Sequence, residues 1–450
     1  MKVVVVGGGF AGLAAAIRLQ EHRHDVLLLE RRGVLGGRAT SYRDAVTGDD
    51  VDNGTHLMVG AYTDTIDLVR RASADDLLLV QPDLTIDYVD DGGFTSLACG
   101  PLPAPLHLLV GLLGLRVPWS VRWQAVRLAM AVSLGGPPEG TLADFFAKTG
   151  QGTQARALLW DGLATAILNE TPEKAAAILF YNVYREAFLR SRQASALVFL
   201  KRGFGELHRR LGAYFESRGG KIHRRAIVEA VDIADGRATG VRYVQRAETR
   251  DEIRTGVRSV PSSAAADAVV LATPWSVVPN LVPPEWAEKA PFAGLKKLRG
   301  APIVSVELWL DRPVVDRVMV GLRGCEIEWV FDKGRLHDRK TAGQHLAFIV
   351  SAAYRTAPRP NAEIVALAEA ALRRFFPAMK DAAITRSLVL REPEATFSCD
   401  PDSERERPGE VTPIRGLFLA GDWTNTGLPA TIEGAVRSGR RAAASVEKLK

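Results

Sequence analysis

Residues 1–38 read MKVVVVGGGFAGLAAAIRLQEHRHDVLLLERRGVLGGR, and this stretch decides the fold. Lys2–Val6 is a β-branched run typical of a buried central strand, and Asp25–Glu30 is a second apolar run. Between them, residues 11–21 carry alanine and leucine at helical spacing. Strand, helix and strand in this order predict a βαβ unit with parallel strands.

The glycines between the first strand and the helix form a GxGxxG pattern at Gly7, Gly9 and Gly12. In this context Gly7 makes the tight turn, Gly9 lets the backbone approach a pyrophosphate, and Gly12 permits close packing of helix on strand. The helix amino terminus, which includes Ala11, offers N–H groups and a positive dipole end to phosphates. The pattern therefore predicts a dinucleotide site.

An acidic residue closes the second strand. Glu30 stands 18 positions after Gly12, where a carboxylate can accept hydrogen bonds from adenosine ribose hydroxyls. We include Arg31, which follows it, among the candidate cofactor-binding residues. A surface glutamate at a strand end is the alternative, and the fingerprint alone does not separate FAD from NAD.

Gly36-Gly37-Arg38, shortly after Glu30, resembles the element that wraps the cofactor diphosphate in the FAD-binding family of amine oxidases, phytoene desaturases and protoporphyrinogen oxidases. The resemblance implies noncovalent FAD, with Gly37 and Arg38 at the phosphates; guanidinium and phosphate form bidentate, charge-assisted hydrogen bonds. It also implies that Val228 lies on a strand whose backbone contacts the adenine.

The segment GLFLAGDWTNTGLPATIEGAVRSGRRAA, residues 416–443, resembles the family's second flavin element. By this resemblance Gly421-Asp422 approaches the ribityl or phosphate region, and Thr431, Ile432 and Ala435 lie where a helix amino terminus meets the isoalloxazine. Such a terminus stabilises the negative charge of reduced flavin. No second GxGxxG is present for a nicotinamide nucleotide, so the flavin needs an external reductant, which the sequence does not identify.

These elements predict an α/β fold: a Rossmann-type, GR2-like FAD-binding domain with an inserted mixed α+β substrate domain. The FAD-binding domain is discontinuous, comprising residues 1–61, 201–273 and 406–450. The substrate domain comprises residues 62–200, expected to be largely helical, and 274–405. Residues 400–409 (DPDSERERPG) are expected to form a solvated surface loop.

The amino-acid composition and charge limit the kinds of partner that the protein can bind. The formal charge of +6 includes no basic block interleaved with aromatics, which disfavours nucleic acid. Three distant cysteines without a CxxC pair indicate a reducing compartment and no metal site.

The glycine-broken amino terminus is not a signal peptide, so we expect a cytoplasmic protein. Leu106–Met130, with its tryptophans and arginines, suits a helix in a membrane interface on the inner face of the cell membrane; a core helix is the alternative.

Three further segments, 51–62 (VDNGTHLMVGAY), 159–172 (LWDGLATAILNETP) and 421–439 (GDWTNTGLPATIEGAVRSG), resemble the squalene-associated FAD-dependent desaturases, whose members act as hydroxysqualene dehydroxylases in hopanoid biosynthesis. Leu428-Pro429 is aliphatic where amine oxidases typically place an aromatic residue, and no cysteine near this loop could attach flavin. The resemblance implies an apolar isoprenoid substrate and hydride transfer from reduced FAD. The alternatives are a carotenoid-type desaturase and a non-enzymatic isoprenoid-lipid binding protein.

Candidate proton donors for such a reaction are His56 and Asp161. His56 follows the GGR element closely enough to reach the reactive end of the flavin and can donate a proton near neutral pH. Asp161 lies in an apolar helical segment, where burial would raise its pKa and keep it protonated. A structural histidine and a helix-surface carboxylate are the alternatives, and Glu433 carries a similar ambiguity.

Overall fold

A parallel sheet of five strands contains the amino-terminal motif. The structure is a computed structural model that describes residues 1–247, 259–338 and 342–449. Each neighbouring pair in this sheet is parallel, and α1 (Phe10–Glu21) connects β1 to β2, as predicted. In spatial order the strands are β10 (Lys221–Arg224), β2 (Asp25–Glu30), β1 (Lys2–Val6), β14 (Ala268–Leu271) and β20 (Leu417–Leu419).

Helix α1 lies between this sheet and the last helix, α16 (Ile432–Val446). One glycine allows α1 to approach the sheet closely, and another allows α16 to approach α1. A Cβ on Gly12 would lie 1.8 Å from the carbonyl oxygen of Gly7, and one on Gly439 would lie 2.1 Å from that of Ala11. No side chain fits at either position. Gly12 thus has the packing role that the sequence predicted, and Ala11 faces α16.

A second, seven-stranded sheet unites the two inserted segments. Strands β7 (Thr85–Asp90) and β16 (Met319–Leu322) are parallel neighbours in it, which brings residues 87–89 beside residues 320–322. The expectation of a largely helical first insertion is therefore incomplete, because residues 78–98 form strands. In spatial order this sheet contains β19 (Ile384–Phe397), β15 (Gly300–Leu310), β18 (Gln344–Val350), β17 (Trp329–Asp332), β16 (Met319–Leu322), β7 (Thr85–Asp90) and β8 (Gly93–Ala98).

Shorter elements complete the chain. The small sheets are β3 (Ser41–Arg43) with β4 (Asp50–Asp52); β5 (Met58–Val59), β9 (Leu197–Leu200) and β6 (Leu78–Val80); and β11 (Ala226–Ala234), β12 (Arg237–Arg246) and β13 (Ser259–Ala265). The other helices are α2 (Thr63–Arg71), α3 (Leu106–Gly114), α4 (Trp119–Leu134), α5 (Leu142–Lys148), α6 (Thr153–Ala155), α7 (Asp161–Leu168), α8 (Ala177–Val183), α9 (Arg192–Ser195), α10 (Phe204–Ser217), α11 (Pro284–Ala287), α12 (Phe292–Leu295), α13 (Lys333–Leu336), α14 (Asn361–Phe375) and α15 (Pro401–Glu406). Residues 156–160 and 184–189 form π-helical turns.

The first domain boundary lies later than residue 62. Leu68, Leu77 and Leu78 pack in the same apolar core as Val3 and Val5 of the parallel sheet. Strand β6 also pairs with β9, immediately before the return to the FAD-binding segment at residue 201. Residues 63–80 therefore pack on the dinucleotide-binding layer, although the sequence assigned them to the insertion.

Asn169, at the end of α7, fastens the helical insertion to the seven-stranded sheet. Its backbone is left-handed, with φ of 51°. The amide group of its side chain donates to the carbonyl of Ala301 (3.1 Å) and the hydroxyl of Thr396 (2.9 Å), and its oxygen accepts from the N–H of Ala352 (2.7 Å). All three partners belong to the sheet or its connections, so one side chain fixes the relative position of two layers.

We predict that Asn169→Ala lowers the free energy of unfolding by about 3 kcal/mol, because three buried hydrogen bonds contribute about 1 kcal/mol each. Urea denaturation measures the change. Asn280→Ala is the control, since Asn280 is exposed and makes a single long hydrogen bond of 3.4 Å. A loss below about 1 kcal/mol at Asn169 would contradict this role.

Candidate active site

The glycine loop presents backbone that no side chain covers. Gly7, with φ of 109°, turns the chain, and a Cβ there would lie 2.5 Å from the carbonyl oxygen of Ala272. A Cβ on Gly9 would meet nothing closer than Gly37 Cα at 3.8 Å. The N–H of Gly36 donates to the carbonyl of Gly8 at 2.9 Å, which holds the two loops together. Gly9 and Gly37 thus lie against each other, since a Cβ on Gly37 would be 3.4 Å from the Cα of Gly9, and together they present backbone without side chains.

Glu30 is 5% exposed and lies under this loop. One carboxylate oxygen accepts from the N–H of Gly8 and the other from the N–H of Arg32, both at 2.7 Å. A carboxylate oxygen can accept more than one hydrogen bond, so ribose hydroxyls can still bind. Arg31 is exposed, and its neighbour Arg32 donates to the carbonyl of Gly37 at 3.0 Å. Sequence reasoning missed Arg32, since two adjacent arginines give no signal for which one turns inward.

Val228 lies on the same side of the molecule as Glu30. Strand β11 begins beside the loop after β2, where the N–H of Arg225 donates to the carbonyl of Arg32 at 3.0 Å. The register of β11 shifts directly after Val228, so the strand is irregular at this point. A bulge of this kind leaves a residue outside the regular ladder.

Arg38 and Asp422 form an ion pair of 2.5 Å between residues 384 positions apart. Asp422 is 7% exposed. Arg38 also donates to the carbonyl of Ala395 at 2.9 Å, and its guanidinium lies 5.9 Å from the centre of the Trp275 ring. The two flavin elements identified at opposite ends of the sequence are therefore in direct contact.

The second element is bound to α16. The N–H of Gly421 donates to the hydroxyl of Ser438 at 2.8 Å. Thr431 caps the helix, its hydroxyl accepting from the N–H of Gly434 at 3.0 Å. Ile432 is buried, and Ala435 completes the first turn with a hydrogen bond of 3.0 Å to the carbonyl of Thr431. The helix thus begins at Ile432, and its positive end lies next to the loop that contains Asp422.

Arg407 shapes that loop from inside the protein. Its side chain is 0% exposed and pairs with Glu404 at 2.5 Å. Burial raises the pKa of Glu404, and the guanidinium opposes the rise. The carbonyls that accept from Arg407 belong to Asp422, Trp423, Thr424 and Leu428, at 2.5–3.3 Å. The prediction that residues 400–409 form a solvated loop was therefore wrong. Residues 401–406 form α15, and Arg407 is buried and binds the carbonyls of the loop that contains Asp422. The composition of this segment does not reveal that role.

The residues present fit a dinucleotide cofactor. Within the described part of the chain, the hydroxyls of Thr55 and Thr273 are buried without a hydrogen-bond partner. Thr273 follows β14, and its N–H nitrogen lies 3.5 Å from the Cβ position of Gly7. Buried hydroxyls normally have partners, so these two point to an additional group. Together with the uncovered backbone at Gly9 and Gly37, they fit a dinucleotide cofactor such as FAD.

His56 lies in the loop between β4 and β5. Burial lowers its pKa, and Nδ1 lies 2.8 Å from the carbonyl of Gly54, so Nδ1 carries the proton that it donates to this carbonyl. The ring packs edge-on against Phe204, with centroids 5.1 Å apart. A lowered pKa disfavours the protonated imidazole that a proton donor requires, so proton donation by His56 stays a prediction.

The burial expected for Asp161 is wrong. Its side chain is 40% exposed and accepts from the guanidinium of Arg156 at 3.0 and 3.3 Å. Glu433 is buried, and burial raises its pKa. It accepts from the backbone of Asp64 and from the backbone and hydroxyl of Thr65 at 2.7–3.0 Å, so it fastens α2 to α16.

One face of the seven-stranded sheet continues from the His56 loop. Val304, Val306 and Leu308 of β15 pack on α14, so the alternate residue Ser305 faces the other way. A Cβ on Gly54 would lie 3.5 Å from the Ser305 hydroxyl, which places this face beside the loop. We call the apolar region between this face and the inserted helices the sheet–helix layer; its side chains include Met319, Trp329, Phe331, Ala347, Ile349, Phe146, Trp160, Phe180, Tyr184 and Phe188.

Substitution of Gly9 provides a direct test of cofactor binding. We predict that Gly9→Ala folds normally, because its backbone is extended (φ −80°) and nothing lies within 3.8 Å of the new Cβ. The methyl group would fill the space for the diphosphate, so FAD affinity should fall at least about tenfold, measured by fluorescence titration of the apoprotein.

Gly162→Ala is the matched control, since a Cβ there meets nothing within 4 Å and lies outside the site. Its FAD affinity should equal that of the wild type, and its melting temperature should be equal or slightly higher, because alanine favours a helix more than glycine does. If Gly9→Ala retained wild-type affinity for FAD, the diphosphate would have to bind elsewhere.

Comparisons with known proteins agree with this geometry. Residues 10–446 match the family model of flavin containing amine oxidoreductases. The chain is 29% identical to the hydroxysqualene dehydroxylase of Rhodopseudomonas palustris (strain ATCC BAA-98 / CGA009), covering 98% of this chain and 97% of the relative. It is 26% identical to the zeta-carotene desaturase of Zea mays, covering 99% and 83%.

Solved structures share the fold. An oxidoreductase from Methanosarcina mazei superposes with a TM-score of 0.75 at 17% identity, covering 100% of both chains. A triple mutant of putrescine oxidase gives a TM-score of 0.73 at 16% identity, covering 100% of this chain and 99% of the other. The predicted α/β fold with a Rossmann-type FAD-binding domain is confirmed. The chain belongs to the flavin containing amine oxidoreductase family and is an FAD-dependent oxidoreductase.

Proposed function

We propose that the protein reduces hydroxysqualene to squalene in hopanoid or triterpenoid biosynthesis. The alignment with a hydroxysqualene dehydroxylase covers 97% of that relative, whereas alignments with plant carotenoid desaturases cover 77–83% of theirs. The observation that carries the proposal is a buried polar donor without an acceptor, the indole N–H of Trp329, whose ring belongs to the sheet–helix layer.

The sheet–helix layer suits an apolar isoprenoid. Its helical side carries an aromatic series in which neighbouring ring centroids are 5.4–5.8 Å apart: Phe146, Phe180, Tyr184 and Phe188. Leu428 and Pro429 are both buried in the loop that leads to α16. Aliphatic and aromatic walls exclude water and favour a hydrocarbon chain over an amine.

Trp329 favours an alcohol over a pure hydrocarbon. Its side chain faces the sheet–helix layer, the residue is 7% exposed, and its Nε1 has no acceptor in the described part of the chain. An unpaired buried donor costs about 1–3 kcal/mol. A substrate hydroxyl would relieve this cost, whereas a polyene would leave it in place. This difference supports a dehydroxylase rather than a carotenoid desaturase.

The reaction consumes an allylic alcohol, a hydride and a proton, and yields an alkene and water. FAD, when bound in its reduced form, supplies the hydride. The C–O bond breaks as the oxygen leaves with the proton, and the hydride forms the new C–H bond. Trp329 would orient the oxygen, and the aromatic faces would exclude water and stabilise positive charge on the substrate. The amino terminus of α16 favours negative charge on the flavin side.

The decisive experiment incubates the photoreduced, FAD-loaded protein anaerobically with hydroxysqualene. We expect squalene, identified by gas chromatography with mass spectrometry, in equal amount to the flavin that is reoxidised. Absence of squalene would refute the proposal. Turnover of phytoene by the oxidised protein would instead identify a carotenoid-type desaturase. A protein that retains isoprenoids but does not turn over either substrate would be a lipid-binding protein.

We predict that Trp329→Phe lowers kcat/KM for hydroxysqualene about tenfold, because it removes one hydrogen bond but keeps the ring. Trp286→Phe is the control: Trp286 is half-buried, packs against Lys289, and lies outside the seven-stranded sheet. Both variants should retain FAD and the wild-type melting temperature. An unchanged kcat/KM for Trp329→Phe would show that the hydroxyl binds elsewhere.

A further inference from the structure

Helices α3 and α4 expose an unusual amount of apolar surface. The segment 106–130, expected as one helix, forms two that are joined at residues 115–118. Trp119 is 71% exposed and Trp123 is 61% exposed, although tryptophan is largely buried in most proteins. We define the α3–α4 surface by its exposed side chains: Leu102, Leu106, Leu109, Val110, Leu113, Trp119, Trp123, Met130 and Leu134.

Each helix places these side chains in one stripe. On α4, Trp119, Trp123 and Met130 lie on the same face by helical spacing. The opposite face is buried through Val121 and Leu128. The exposed stripe is therefore additional to the face that packs on the protein, and contiguous exposed apolar surface of this kind marks an interaction site.

The charged side chains of this segment are arginines, and one of them is already paired, since Arg116 lies 3.0 Å from Asp90. Residues 99–138 contain Arg116, Arg122 and Arg127 and no aspartate or glutamate. Arg122 lies 4.5 Å from the centre of the Trp119 ring and donates to the carbonyl of Leu115 at 2.7 Å. Helical spacing puts Arg122 and Arg127 at opposite edges of the α4 stripe. A second copy of this chain would set arginine against arginine, whereas anionic headgroups would complement them.

We propose that the α3–α4 surface docks the protein on an anionic lipid bilayer. Tryptophan rings favour the interface between hydrocarbon and headgroups, and arginine side chains reach the phosphates. Among the described residues, no helix is long and apolar enough to cross a bilayer. Helices α3 and α4 would therefore lie in the plane of the interface, with their exposed leucines in the acyl region.

The surface also adjoins the sheet–helix layer. The buried face of α4, including Val121 and Leu128, belongs to the same apolar cluster as Phe180 and Tyr184. The hydroxyl of Tyr181 donates to the carbonyl of Gly135, just after α4, at 3.1 Å. One helix thus separates the proposed lipid contact from the layer. If the protein acts as proposed above, a triterpene dissolved in the bilayer has a short apolar path to it.

Flotation on sucrose gradients tests the docking. The FAD-loaded protein should float with phosphatidylcholine vesicles that contain phosphatidylglycerol. The double variant W119E/W123E should lose at least about tenfold in partitioning, because two interfacial anchors become charged. V411E is the control, since Val411 is a 60% exposed apolar residue on a distant segment, and it should float normally. Wild-type protein that stays at the bottom, or equal flotation of the double variant, would overturn the proposal.

The charge contribution is tested separately with R127Q. Its partitioning should weaken about fivefold on anionic vesicles, the factor that ~1 kcal/mol per arginine at such a surface corresponds to. On neutral vesicles it should match the wild type. An unchanged affinity on anionic vesicles would contradict the role of anionic lipid. A dimer in sedimentation velocity that W119E/W123E abolishes would identify a second copy as the occupant and refute membrane docking.

Docking and catalysis can fail independently. W119E/W123E should keep wild-type turnover of hydroxysqualene in detergent micelles and lose it with substrate embedded in anionic vesicles. If the wild type reduces no hydroxysqualene in either form but still floats, only the proposed reaction is wrong. Equal loss of activity in micelles and vesicles would contradict a role confined to the membrane.

Discussion

The ion pair between Arg38 and Asp422 is the contact on which the cofactor site depends. Arg38 follows β2 and Asp422 follows β20, and between these strands lie β1 and β14. The pair therefore bridges the carboxyl edge of the sheet directly over the glycine turn. Because Asp422 is nearly buried, loss of Arg38 would leave a carboxylate without its partner, which costs far more than a surface ion pair contributes. The chain termini are thereby held in one site.

Hydrogen bonds from Arg407 also stabilise the irregular loop that follows β20. Backbone carbonyls outside regular structure need donors when they are buried. A guanidinium carries five N–H groups, and Arg407 uses them on carbonyls between residues 422 and 428 and on Glu404. All of these contacts are made within the chain. A leucine at position 407 would bury the same carbonyls without partners.

The structural features that were predicted correctly are those that local sequence patterns determine. The βαβ unit follows from the hydrophobic period and the glycines, and Gly12 has its packing role because helix and strand are neighbours in sequence. Strands β7 and β8 were missed although they form a local hairpin; only the pairing of β7 with β16 joins residues more than 200 positions apart. The error at Asp161 has a backbone cause. Residues 156–160 form a π-helical turn, whose wider spacing brings Arg156 against Asp161 five positions later and draws the carboxylate into an exposed ion pair.

The two ends of the site have opposite chemistry, and each comes from a different part of the chain. The FAD-binding segments supply backbone N–H groups, arginine and a helix terminus, which suit a diphosphate and a negatively charged flavin. The insertions supply aromatic and aliphatic walls that would hold an isoprenoid. Hydride transfer in either direction is compatible with aromatic and aliphatic walls. The indole N–H of Trp329 distinguishes the two kinds of substrate. It can donate a hydrogen bond to an oxygen on an alcohol, whereas a hydrocarbon offers no acceptor.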